Sequence, residues 1–164
     1  MSAPIGCSCQ GCTAACVSKP GWFAYSEAEH VAKLLDMPLE LFFKMYLAVD
    51  WYEPEGAIQE DVFVLAPVIV GENAGDMYPA DPRGRCVFLD HMNRCKIHAV
   101  KPRECREMLH SDTRKQMEDR KIAITLTWQG HEDQIKKLLG RAPVSKEYHG
   151  GFFGGLGSAF GGDY

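Results

Sequence analysis

Apolar positions recur at helical spacing in two adjacent blocks of residues 26–50. Val31, Leu34 and Leu35 mark one face of a helix that opens at Ser26-Glu27-Ala28-Glu29, which has the Ser-x-x-Glu form of a capping box. Met37-Pro38 breaks this helix, and Pro38 suits the first turn of a second one. Leu41, Phe42, Met45, Tyr46 and Val49 draw the stripe of that second helix, a composition that favours core packing over a cofactor pocket. Residues 51–84 keep no period apart from one apolar run, Val62 to Val70, which is interrupted by Pro67 and predicts a strand. Gly71 to Gly84 carries Gly, Pro, Asn and Asp at the density of a loop.

The second half is predicted in the same way. Arg85 to Asp90 and Arg94 to Ala99 read as two short strands around the turn Asp90-His91-Met92-Asn93. Lys101-Pro102 starts a helix with Cys105 in its first turn, where the helix dipole, Arg103 and Arg106 would favour a thiolate. Residues 112–121 are charged and read as helical, whereas Ile122, Ile124, Leu126 and Trp128 alternate as a strand should. His131 to Leu139 forms a last helix ended by Gly140. Residues 1–21 show neither period and few large apolar groups. From Gly150 the chain reads GGFFGGLGSAFGGDY, and the large apolar groups of this Gly/Phe-rich tail suggest a protein partner.

Composition narrows the choices. The chain has 164 residues, 46% of them hydrophobic, enough for one cored domain. We expect residues 1–149 to form that domain and residues 150–164 a separate tail. A net charge of −4 disfavours nucleic acid as a partner. No apolar run reaches the ~18–20 residues of a membrane span. The first residues lack the basic and apolar segments of a secretory signal, so a cytoplasmic or other reducing compartment is expected.

Cysteine placement changes the picture most. All seven cysteines fall in two packets: Cys7, Cys9, Cys12 and Cys16, then Cys86, Cys95 and Cys105. An odd count in a reducing compartment argues against a disulfide framework and for metal ligation, whereas buried core thiols would be scattered. Thiolates are soft ligands for zinc or iron–sulfur clusters. The expectation is one metal centre gripped by both packets, with metal binding supplying the folding free energy that residues 1–21 lack. Cys9, Cys12, Cys95 and Cys105 are the first candidates, followed by Cys16 and Cys86, with Cys7 last. Only one CxxC pair is present, Cys9 to Cys12, and the irregular spacings suit a cuboidal 4Fe-4S cluster better than a zinc knuckle; zinc is the alternative. His91, His98 and His110 read as surface or supporting histidines rather than ligands. Arg94, Arg103 and Arg106 either balance the thiolate charge or are solvated helix charges. The predicted class is thus α+β: a small, irregular, cysteine-rich, metal-centred domain, mainly helical with a few short strands.

At Cys86-Val-Phe-Leu-Asp, Cys95-Lys-Ile-His and Lys101-Pro-Arg-Glu-Cys105-Arg106 the chain resembles the YkgJ-like cysteine-cluster family of zinc- or iron-chelating domains, over roughly residues 7–110. That family's pattern runs C-x-F-L, C-x-I-Y and R-P-x-x-C-R, so His98 replaces a tyrosine and Lys101 an arginine. Its front knuckle is CxxCxxCC; here Thr13-Ala14-Ala15 separate Cys12 from Cys16, and Cys7 is extra. The resemblance implies a metal or iron–sulfur cluster. One branch of the family is a flagellin lysine methylase, but neither a GxGxG after a strand nor a CxxxCxxC marks an S-adenosylmethionine site here. Three functions follow. The first is an iron–sulfur electron carrier or accessory subunit of a redox complex; the alternatives are zinc or iron handling and a methylase-like protein-modifying enzyme. Glu53, Glu55, Asp61 and Asp76 read as solvated charges, so independent catalysis is not expected.

Overall fold

The computed structural model describes residues 10–53, 61–79 and 82–145. Cys7, Cys9 and the tail 150–164 lie outside the described residues, as do parts of the expected domain 1–149. Among the described residues are six α-helices and one two-stranded antiparallel sheet, an α+β arrangement dominated by helix. The helices are α1 (Gln10–Ser18), α2 (Glu27–Leu34), α3 (Leu39–Tyr46), α4 (Arg103–Glu107), α5 (Arg114–Trp128) and α6 (Glu132–Leu139). The strands are β1 (Leu47–Tyr52) and β2 (Val62–Pro67), registered with Leu47 opposite Pro67 and Tyr52 opposite Val62.

The sheet is the floor of the core. Leu47 to Trp51 is buried on both faces, so this strand reads as a continuous apolar run rather than an alternation. Helices α5 and α6 pack on β2, and α2 packs against α3. Phe42, Phe43, Leu65, Tyr78, Ile124, Trp128 and Ile135 are all fully enclosed. Buried polar atoms find partners, as they must in a dry interior. Trp128 Nε1 donates to the Phe23 carbonyl at 2.8 Å, and the Tyr78 hydroxyl donates to the Pro67 carbonyl.

Several expectations are corrected. The apolar stripe through Val49 does not stay helical: α3 ends at Tyr46, and Val49 pairs with Leu65 in the sheet. Leu34, Leu35, Leu41 and Met45 are exposed, while Ala28, Ala32 and Phe43 take the inward positions. Ser26 does not cap α2; it sits at φ 67° with no side-chain cap, and Glu27 Oε2 instead accepts from Ala24 N at 2.7 Å. The real capping box is Thr113 with Gln116, at the start of α5. The two short strands at 85–90 and 94–99 shrink to single bridges, Ile69 with Cys86 and Leu89 with Cys95, followed by a 3-10 turn, His98–Val100.

The largest difference concerns residues 122–128. Their alternation suggests a strand, yet they complete α5. Ile124 and Trp128, four apart, face the core together with Thr125, while Leu126 is 55% exposed. Period four wins over period two because only one side of this segment meets the sheet. Ile124→Ala should therefore cost about 2–5 kcal/mol in urea denaturation, and Leu126→Ala less than about 0.5 kcal/mol. Equal losses would restore the strand.

Candidate metal centre

Five cysteines from both packets line one cavity of about 310 Å³: Cys12, Cys16, Cys86, Cys95 and Cys105. Cys12 and Cys16 come from α1, a segment expected to be irregular. Ala14 and Ala15 supply good helix formers between them, and the three-residue gap sets the two thiols one turn apart on the same side of the helix. Cys86 and Cys95 are fixed by their bridges to Ile69 and Leu89. Cys105 is the third residue of α4, in the first turn as expected.

Backbone hydrogen bonds join the packets. Cys86 N donates to the Cys16 carbonyl at 2.9 Å, Gly84 N to the Ser18 carbonyl at 2.7 Å and Glu104 N to the Trp22 carbonyl at 3.3 Å. In return Trp22 N donates to Glu104 Oε2 at 2.7 Å. Gly21 lies where these strands of chain press together. A Cβ there would stand 2.6 Å from Cys105 Sγ and 3.1 Å from its backbone nitrogen.

The walls are mixed. Pro67, Phe88, Leu89, Ile97 and Met108 make them apolar, and Lys101, Arg94, Asn93 and His98 add polar groups. All five described cysteines are free thiols. Burial pushes the Cys86 thiol up to about 12, against the pull of the Phe88 N–H on its sulfur. Cys95 is raised by burial too, against the Ile97 N–H. Cys105 is held well above the usual thiol value by its hydrogen bond with Cys16 and by burial, so the expected dipole-stabilised thiolate at Cys105 is not what the site provides. The thiolate character goes instead to Cys16, lowered to about 7 by the hydrogen bond from Cys105, with Lys101 adding to the effect. Cys12 lies 4.0 Å from His110 Nδ1 and 4.0 Å from the Met108 carbonyl.

Among the described residues no three His, Cys, Asp or Glu side chains form a ready-made ion site; the thiols instead stand around the cavity wall. The donor set nonetheless fits a soft ion or an iron–sulfur cluster: five sulfurs, and two backbone N–H groups directed at the sulfurs of the residues two before them, which would stabilise thiolate charge. His98 lines the cavity, its pKa lowered by burial and by Lys101, whereas His91 is exposed and does not line it. The arginines expected to balance charge already have carboxylates: Arg94 binds Asp90 at 2.8 Å, Arg103 binds Glu107 at 2.8 Å and Arg106 binds Glu27 at 2.7 Å. Sequence reasoning passed over Lys101 in that role, and its one signal was its place in the Lys-Pro-Arg-Glu-Cys-Arg run.

The CxxCxxCC family model, whose description reads "Putative zinc- or iron-chelating domain", matches residues 8–124. The chain belongs to this family. The match takes in every cysteine except Cys7 and stops within α5, before α6 and the tail. Neither a curated protein nor a solved structure matches the chain. Membership in the CxxCxxCC family supports metal binding in general, with zinc and iron both named. No helix among the described residues is long and apolar enough to cross a membrane.

Two outcomes follow from the site. Gly21→Ala should force Cys105 and α4 outward, costing about 1–3 kcal/mol in thermal or urea unfolding. The raised thiols also set a pH dependence. Cys86 is raised from 9.0 to about 12 on folding, so above pH 9 the unfolded chain holds fewer protons than the folded one. The metal-free protein should keep this contribution below pH 9 and lose it as pH climbs towards 12, which unfolding midpoints across that window would read. Cys86→Ser should flatten the decline.

Proposed function

We propose that this chain is an iron–sulfur protein that serves as an electron carrier or as an accessory subunit of a redox complex. The observation that carries the reading is the convergence of both cysteine packets on one cavity of about 310 Å³. A structural zinc ion is enclosed directly by four ligands at about 2.0–2.3 Å. A cavity of this size, walled by five thiols and apolar side chains, has room for a larger inorganic core. Cys12, Cys16, Cys86, Cys95 and Cys105 are the ligand candidates among the described residues, with Cys9 and Cys7 as further candidates outside them.

The bound cluster would supply one-electron chemistry at a potential set by its surroundings. The chain's own residues would do the rest. Thiolates hold the group, and the Phe88 and Ile97 N–H groups offset charge on sulfur. Phe88, Leu89 and Ile97 keep water from its flank. A second reading, zinc or iron handling, is favoured by the incomplete enclosure of Cys16 and Cys95, which are half-buried and could exchange an ion with an incoming ligand. Residues 1–149 are proposed as the cluster-bearing domain and residues 150–164 as a segment that meets a protein partner.

Anaerobic purification with metal analysis and an optical spectrum decides between these readings. Iron and sulfide in stoichiometric amounts, with broad visible absorption bleached by dithionite, are expected. A colourless protein with one tightly held zinc would overturn the iron–sulfur reading in favour of the second. Because the metal binds thiolate and three described thiols are raised, loading at neutral pH should release protons. Apparent affinity should accordingly rise between pH 6 and 9 in a chelator competition.

A further inference from the structure

Lys101 is only 7% exposed and lines the thiol cavity. Its apolar stem is enclosed, while its ammonium nitrogen is not shut away from water. The other cations near the cavity are paired with carboxylates: exposed Arg94 with Asp90, and half-buried Arg106 and Arg103 with Glu27 and Glu107. Lys101 forms no ion pair or side-chain hydrogen bond among the described residues; its only recorded hydrogen bond is made by its carbonyl, which accepts from Arg106 Nη1 at 3.1 Å. The backbone is thus fixed by Arg106 and by Pro102 beside it, and the side chain is committed to the cavity.

We propose that Lys101 is the built-in countercharge of the metal-bound thiolates, a positioning residue that favours the loaded over the metal-free state. The inference rests on the metal-binding reading above. In the metal-free state only Cys16 offers Lys101 thiolate character. When four thiolates surround a divalent ion the site carries a net negative charge, which Lys101, a cation lining the same cavity with no carboxylate partner among the described residues, can offset. The fields it exerts on Cys16, Cys95 and His98 place it beside both packets at once. A residue that interacts more favourably with the filled state than with the empty one widens the difference between them, which is the quantity a metal affinity measures.

The effect of Lys101 therefore falls mainly on the loaded state, a pattern no purely structural lysine would produce. In the full-length chain, Lys101→Met should change the melting temperature of the metal-free protein little. The same variant should weaken Zn²⁺ and Fe²⁺ binding roughly 10- to 100-fold in chelator competition. Lys101→Arg, which keeps the charge, should recover most of the affinity. Unchanged affinity in Lys101→Met would overturn the inference. So would an equal loss of stability in the metal-free and metal-loaded forms, which would make Lys101 a packing residue. If the wild-type chain takes up neither ion, the metal reading itself fails, and the inference with it. If the wild type binds and the methionine variant binds equally well, only the role of Lys101 is lost.

Discussion

The structure depends on how residues 10–24 are laced to residues 84–105. The bonds that do this are mostly backbone to backbone, so they fix chain against chain with little regard to side-chain identity. Trp22 is the anchor of the lacing. Its amide and carbonyl both engage Glu104, while its indole Nε1 donates to Asp50 Oδ2 at 2.7 Å. Asp50 is fully buried in β1, and its other oxygen accepts from Trp51 N at 2.9 Å. Lys19 completes the arrangement at 3.2 Å from Asp50, so the buried carboxylate has both hydrogen bonds and an opposite charge. Lys19 and Lys121 also lie 5.9 and 5.5 Å from the Trp22 ring. Through this one tryptophan the cysteine cavity is tied to the sheet rather than standing apart as a loose loop.

The cavity poses a charge problem that the fold answers in parts. Thiols buried among Phe88, Leu89 and Ile97 prefer to stay protonated, which is why Cys86 and Cys95 are raised; Cys105 is raised first by its hydrogen bond with Cys16 and then by burial. A metal reverses that preference by supplying charge where water cannot. The N–H groups of Phe88 and Ile97 point the same way more weakly, since each lowers the cost of charge on the sulfur two residues earlier. Cys16 is the exception, because Cys105 donates to it and Lys101 is near. The site thus has one thiol prepared for ionisation, two held back by desolvation and Cys105 held back by its hydrogen bond to Cys16 as well as by burial.

Much of the site was legible in the sequence, because clustered cysteines advertise soft-metal chemistry whatever the fold. The helices 27–34, 39–46 and 132–139 were legible too: their apolar residues and their Pro and Gly boundaries are local signals. What was not legible arose where tertiary burial overrode local pattern. Val49 sits at helical spacing from Met45 and Tyr46, but the chain enters the sheet at Leu47 because β2 offers a partner there. Ile122 to Trp128 alternates, yet the neighbours that would decide between strand and helix are distant in sequence. The Ser26 capping box failed because Ser26 sits at φ 67° rather than in the extended backbone a capping serine needs, and Glu29 pairs with Lys33 instead. Glu27 accepts from Ala24 N and, from the second packet, from Arg103 N at 3.0 Å. Cys105 was placed in its helix correctly, but the Cys16 sulfur that governs its titration lies far away in the chain.

Helix α1 shows why the departure from the family's adjacent-cysteine knuckle is tolerated. Two neighbouring cysteines in an extended knuckle diverge, whereas Cys12 and Cys16 converge only if the residues between them are helical. Nine residues are too few to hold a helix alone in water. Cys12 is the one fully buried side chain α1 contributes, so packing gives it little support. Its order must therefore come from the backbone bonds that Ser18 and Cys16 make to the second packet and from whatever binds its sulfurs. Helix formation, docking against residues 84–86 and presentation of two thiols are then one equilibrium, and a ligand that favours any of the three favours all of them. A ligand held by Cys12 and Cys16 would, through the three-residue spacing, also favour the local helix of the front packet, which a rigid preformed knuckle would not need.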